Sequence, residues 1–324
     1  MPPALGAVTT RLVRSHPMIA TAGVLVLLLL YLDVFLTVFH PEGHGGPLTG
    51  RLNRAAWGGF RALAGARPAK ALAFAGPVMP VLTLLVWMGL LIAGYALIYY
   101  PAISSFLVSP GMLRGRVLEA VYFSGYTAST LGLGDLVPDS PALRLVAVLE
   151  ALSGFALATV AITYLLAVYR ELLAMQTLAA IIAGYFRRGE RETLELVRSS
   201  GFEPLARWSE DVTARLLQVQ RAHFQYPIVH YFRPTDETFA LPVQLAHLLA
   251  IRRWAGGAGG ASAVRELSRH PSVQALASAV ETYLRKVETH FVPAAFEPGE
   301  VADADETERA LRRLLRYMRY ASDE

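Results

Sequence analysis

The chain has 324 residues, 54% of them hydrophobic and only 17% charged, with a formal net charge of +4 and no cysteine. Soluble domains carry about 25% charged residues, so this composition argues against a wholly soluble protein. The absence of cysteine excludes disulfides, thiolate metal sites and cysteine nucleophiles.

The charge deficit is local. Residues 1–173 hold 11 Lys/Arg and 7 Asp/Glu, whereas residues 174–324 hold 19 of each. A membrane half therefore precedes a soluble half of ordinary composition. The whole positive excess lies in the membrane half, which argues against a nucleic-acid partner. Lysine occurs only at Lys70 and Lys286 among thirty basic residues. With so much Ala, Gly, Leu and Arg, that usage points to a GC-rich bacterial genome and hence to a bacterial inner membrane.

Three stretches are long enough to cross about 30 Å of hydrocarbon at roughly 1.5 Å per helical residue. The first runs from Met18 to Phe39 and contains Asp33. The second, Val78 to Tyr100, has no charge. The third, Leu143 to Tyr169, contains Arg144 and Glu150. Arg11 and Arg14 precede the first stretch as in a signal peptide, but it is long for that role and no A-x-A-like site follows. Residues 1–40 are therefore read as an N-terminal transmembrane segment, with a membrane-surface helix as the alternative. Asp33 is read as a snorkelling or helix-paired acid in preference to an ion-path residue.

Between the second and third spans, residues 116–129 read as a short apolar helix that does not cross. Thr130-Leu131-Gly132-Leu133-Gly134-Asp135 follows, then Val137-Pro138. Alternating glycines do not sustain a helix, but they hold an extended strand whose successive carbonyls point one way, because glycine tolerates left-handed angles. Non-helical backbone at membrane depth is tolerated where protein encloses it or it lines an aqueous path. Carbonyls and the Thr130 hydroxyl then stand in for the water shell of a cation.

The run Tyr122-Phe123-Ser124-Gly125-Tyr126-Thr127-Ala128-Ser129-Thr130 through Asp135 resembles the pore helix and signature filter of tetrameric potassium channels, whose filter reads T-V-G-Y-G-D. The resemblance spans residues 77–173. It implies an all-α membrane protein with an outer helix, re-entrant pore helix, filter and inner helix. It also implies K+ ions held at Thr130, Leu131, Gly132 and Leu133, with Gly134 closing the filter. Tyr122, Tyr126, Thr127, Ser129, Asp135 and Glu150 are the expected filter supports, Glu150 through a hydrogen bond to Tyr126 or Ser129. Leu133 stands where the family has Tyr or Phe. It brings no hydroxyl, so support of the filter by packing alone is expected. One filter per chain implies a homotetramer, because a carbonyl ring needs four copies. Passive conduction needs no catalytic residue and no cofactor beyond the permeant K+.

In the family the filter faces outward. Segment 41–76 is then a cytoplasmic linker, in agreement with its Arg51, Arg54, Arg61, Arg67 and Lys70 against a single acid, Glu42. Gly154 stands where relatives often have a flexible glycine. Below it, Phe155, Ala158, Ile162, Leu166 and Tyr169 recur at helical spacing. Facing the axis they would line a cavity that Ile162 or Leu166 closes by dewetting; the alternative is packing on the outer helix. No span carries arginine at every third position, which argues against voltage sensing.

Residues 174–324 read as an all-α cytoplasmic domain for assembly or gating, with no motif that names a gating ligand. The helix that enters it is expected to break at Arg187-Arg188-Gly189. Further helices are expected over 190–200, 203–224, 235–254, 262–290 and 304–320, with helix starts at Thr235-Asp236-Glu237 and Asp303 to Glu306. There is no dinucleotide-binding fingerprint, EF-hand or P-loop. Its five histidines, His223, His230, His247, His270 and His290, lack metal-ligand spacing and read as core or surface residues ahead of a proton sensor. The last helix carries Arg309, Arg312, Arg313, Arg316 and Arg319 around Leu311, Leu314, Leu315 and Met318. Packing on the domain is the first reading for its apolar face, and contact with membrane lipid is the second. The functional expectation is a potassium channel. A weakly selective Na+/K+ channel is one alternative, and a non-conducting sensor that uses the pore module as a scaffold is another.

Overall fold

A computed structural model of the chain describes residues 17–40, 45–64, 68–109, 115–201, 203–256, 269–293 and 305–320. Arg11, Arg14, Glu42, Arg67, most of the glycine stretch 255–262 and Pro298 lie outside the described residues. Among the described residues the protein is helical apart from one short pair of strands and a few connecting segments, and three helices are long and apolar enough to cross a membrane.

In chain order these are α1 (Pro17–Val38), α2 (Pro47–Leu63) and α3 (Pro68–Tyr99), then a 3-10 turn Tyr100–Ser105 and strand β1 (Leu107–Val108). The pore-loop region holds α4 (Arg116–Ala128) and β2 (Leu136–Val137), and α5 (Pro141–Tyr185) follows. Among the described residues there follow α6 (Glu190–Ser200), α7 (Glu203–Gln225), α8 (Leu241–Gly256), α9 (Pro271–Phe291) and α10 (Glu306–Tyr317).

Two compact units form. One holds the described residues up to Asn53 together with Met79–Leu166; the other holds Arg54–Val78 together with the described residues from Ala167. The stretch read from sequence as a linker contains the helix α2 and the first turns of α3. Its helices escape a hydropathy reading because α2 is amphipathic, and because Pro77 and Pro80 suggest breaks that α3 does not make. Each proline removes one intrahelical bond, to the carbonyls of Ala73 and Gly76, and the apolar helix continues past both.

In the first unit α1 lies against α3 at glycines. A Cβ on Gly23 would meet the Gly94 carbonyl at 2.5 Å, and one on Gly94 would meet the Leu27 side chain at 2.7 Å. Small residues at such crossings let apolar helices approach closely. The core gathers Leu30, Trp87, Leu91, Tyr99 and Ile103 around Phe106 and Phe123. Phe123 meets Tyr99 and Phe106 edge-on, with centroids 4.8 and 5.0 Å apart.

Asp33 is the helix-paired acid and does not snorkel. It is fully buried, and Oδ1 accepts from the backbone N–H groups of Leu48 (2.7 Å) and Thr49 (3.1 Å). Oδ2 accepts from the Thr49 hydroxyl (2.5 Å) and Trp87 Nε1 (2.9 Å). The orphan N–H groups of the first turn of α2 are thus capped by a carboxylate from α1, and the helix dipole favours that charge.

In the second unit Gly189, at φ +89°, ends the turn after α5 where the break was expected. α6 and α7 fall on the expected ranges. α8 starts at Leu241, after Asp236 has capped a 3-10 turn by accepting from Thr238 N (2.9 Å). The helix expected over 262–290 is interrupted at His270: α9 begins at Pro271, because proline fits only the first turn and holds His270 extended. Residues 257–268 lie outside the described residues.

The apolar face of α10 is buried at Leu311, Leu314 and Met318, so the lipid-lying alternative is set aside for that face. Arg313 pairs with Glu288 of α9. Arg233 holds the end of α10, donating to the Met318 and Arg319 carbonyls at 2.9 Å each. Trp57 of α2 packs on Tyr231 and Tyr317, with centroids 5.6 and 6.2 Å away.

His223 and His230 are core residues, 5.5 Å apart between ring centroids. Burial pushes the His223 imidazole down to about 4 and holds His230, which also faces His223, well below the ordinary value. Both rings are neutral when folded and take up protons when unfolded near pH 6.5. The stability they allow is present above that pH and lost as pH falls toward the folded values. His223 alone accounts for about 3 kcal/mol of that loss. The thermal midpoint of the detergent-solubilised protein should therefore fall between neutral pH and pH 5, and less steeply in His223→Asn.

Candidate pore and filter

α4 is an apolar helix of 13 residues, too short to cross a membrane, and it stops where the glycine alternation begins. From there the backbone is left-handed at every second residue: Thr130 (φ 59°), Gly132 (φ 59°) and Gly134 (φ 74°), with Leu131 and Leu133 between them. Such alternation turns successive carbonyls to one side of the strand. Thr130 is the costly member, since a left-handed side-chain-bearing residue loses about 1–2 kcal/mol. Among the described residues only Arg319 shares that conformation outside glycine.

The strain is held from α4. Thr130 N donates to the Thr127 carbonyl (3.0 Å), and Leu131 N donates to the Tyr126 carbonyl (2.9 Å). The Ser129 hydroxyl donates to the same Tyr126 carbonyl (3.2 Å).

Support by packing alone does not describe this strand. Leu133 is 51% exposed within the protomer, so it braces little. The hydroxyls that Leu133 lacks are supplied by α4 instead. Tyr122 donates to Asp135 Oδ2 (2.7 Å) and Tyr126 donates to the Leu136 carbonyl (2.5 Å). Their two rings stand edge-on, 5.2 Å between centroids. Antiparallel pairing of Leu107 with Val137 and Val108 with Leu136 ties the strand beyond the filter to the outer loop.

Glu150 of α5 is fully buried behind α4. Its partner there is Ser124, in place of Tyr126 or Ser129, whose hydroxyls are engaged elsewhere. Ser124 Oγ also lies 2.9 Å from the Ile92 carbonyl of α3. Ser124 was missed from sequence; its position one turn N-terminal to Ala128, facing away from the filter, was the available signal. One turn below Glu150, Ser153 joins Tyr31 of α1 (2.9 Å) and Tyr95 of α3 (3.2 Å).

Gly154 has a packing reason to be glycine. A Cβ there would run into the carbonyl of Ala128, the last residue of α4. α5 is a continuous helix through this point. The Phe155, Ala158, Ile162 and Leu166 stripe is exposed in the protomer and does not pack on α3. The buried face is Leu157, Ala161 and Tyr164, with the Tyr164 ring 6.2 Å from that of Trp87. Tyr169 turns its ring onto Phe232, 5.8 Å away, in the second unit.

A re-entrant helix, a left-handed glycine strand and two flanking spans occupy one continuous stretch, and residues 82–171 of it match the family described as ion channel. The chain carries an ion-channel pore module. It is also 28% identical over 215 residues to the uncharacterized membrane protein YdjJ of Bacillus subtilis (strain 168). That match covers 66% of this chain and 63% of the relative, so the chain spans less than two thirds of the relative's length. No solved structure matches the chain. It is an all-α membrane protein built on an ion-channel pore module, with a helical second unit.

Proposed function

We propose that four copies assemble around the filter strand as a passive, potassium-selective channel of a bacterial inner membrane, with residues 174–324 cytoplasmic and serving assembly or gating. The observation that carries this reading is the left-handed alternation at Thr130, Gly132 and Gly134, on a strand exposed in the protomer. A strand with its carbonyls on one side and no partner on that side suits a ring of copies around a dehydrated cation. The exposed stripe from Phe155 to Leu166 lines the axis below it, where Ile162 and Leu166 form the constriction.

The reversal potential of purified, reconstituted protein with potassium on one side and sodium on the other tests this. A value near the potassium equilibrium potential supports the selective channel. A value near zero supports a weakly selective cation channel, which the half-exposed, hydroxyl-free Leu133 favours as the second reading.

Gly132→Ala separates conduction from a scaffold role. Nothing crowds Gly132 within the protomer, so alanine is strained there only through its φ, by about 1–2 kcal/mol per subunit. The variant should keep its assembly and lose its current. A scaffold that never conducts would show the same signalling with either residue.

A further inference from the structure

The hydroxyl of Ser124 is within hydrogen-bond reach of two acceptors, the Ile92 carbonyl and Glu150 Oε1, yet it has a single hydrogen to give. With Glu150 ionised, one of these contacts would set two oxygens face to face with no proton between them. Among the described residues no cation faces the carboxyl. The groups facing it are Tyr95 and Tyr99 from α3 and Ser124 and Tyr126 from α4, while Tyr31 of α1 reaches Ser153 on the next turn. Among the described residues Oε2 is buried without a hydrogen-bond partner, as is the Tyr99 hydroxyl, which faces the carboxyl. A buried carboxylate with neither counter-charge nor donors on both oxygens is strongly disfavoured.

We infer that Glu150 is a neutral carboxylic acid that donates to Ser124, which in turn donates to the Ile92 carbonyl. This relay makes Glu150 a positioning residue for the filter. It fastens α4 to α3 and α5 from behind, one turn before α4 ends at the filter. On ionisation the carboxyl proton passes to solvent, and Ser124 turns its single hydrogen to the carboxylate. The Ile92 carbonyl then loses its bond to α4, and the hold on the pore helix slackens. Selectivity is therefore lost at alkaline pH. The control of selectivity rests on the channel reading above, while the protonation state does not.

Two measurements on the full-length protein test this. Infrared spectra at neutral pH should contain a protonated-carboxyl C=O band that disappears in Glu150→Gln and, in the wild type, on alkalinisation. No such difference between the two proteins overturns the inference, whether or not the protein conducts. In reconstituted channels, the wild-type reversal potential should move toward zero at alkaline pH. Glu150→Gln, whose amide donates to Ser124 as the acid does, should stay selective throughout. Glu150→Ala should be poorly selective at every pH. An alkaline shift of equal size in Glu150→Gln, or loss of selectivity in it at neutral pH, overturns the positioning role. A silent protein with the infrared band intact sinks only the channel reading.

Discussion

In the proposed channel, Gly154→Ala should abolish the current while leaving the protein inserted and assembled. The added methyl group points at the Ala128 backbone, with its carbonyl oxygen and carbon in the way and its Cα 3.0 Å off. Backbone has no rotamer to retreat into, so α5 or the end of α4 must shift. Overpacking of this kind costs about 1–3 kcal/mol. Ala128 is followed directly by the filter, so the displacement lands on Ser129 and Thr130, whose left-handed conformation depends on bonds back to Tyr126 and Thr127. Gly89 of α3 is the control. Nothing lies within 4 Å of its would-be Cβ, and alanine there should add about 0.5–1 kcal/mol of helix stability with the current unchanged. Ion flux from proteoliposomes measures both, and full flux in Gly154→Ala would remove the packing explanation for this glycine.

Asp33→Ala should be the most destabilising single change in the first unit. It strips the partners from two backbone N–H groups, one hydroxyl and one indole N–H, all of which meet that carboxylate. Each buried donor left unsatisfied costs about 1–3 kcal/mol, and together they approach the whole stability of many domains. The first turn of α2 loses its cap, and Trp87 loses the bond that orients it between α1 and α5. Asp33→Asn keeps a carbonyl oxygen for part of this set and should fall about midway. Thermal unfolding in detergent, followed by tryptophan fluorescence, gives the ranking. An unchanged midpoint in Asp33→Ala would show that water replaces the carboxylate without loss.

These two residues show where sequence reading stops. Gly154 is legible as a special position, and the family resemblance assigns it flexibility. Its reason lies in Ala128, 26 residues earlier. Asp33 was legible as an acid in an apolar span, and pairing was among its readings. The partner is the first turn of a helix whose amphipathic pattern, in a basic stretch, read as linker. Glu150 was assigned to the pore helix correctly, but to the wrong hydroxyls. Tyr126 sends its hydroxyl outward to Leu136, and Ser124 on the opposite face meets the carboxyl.

Amino-acid order alone determined the three spans, the short pore helix and the glycine strand. Those depend on local quantities: hydropathy over about twenty residues, the brevity of an apolar run, and the left-handed freedom of glycine. Only the tertiary structure decided which side chains brace the filter, why Gly154 is glycine and what Asp33 holds. Each answer is a meeting of groups 10 to 54 residues apart, such as Tyr126 with Leu136 or Asp33 with Trp87. Inside a membrane any of several hydroxyls can satisfy a buried acid. The choice among them falls to the approach and rotation of the packed helices, which no local pattern encodes.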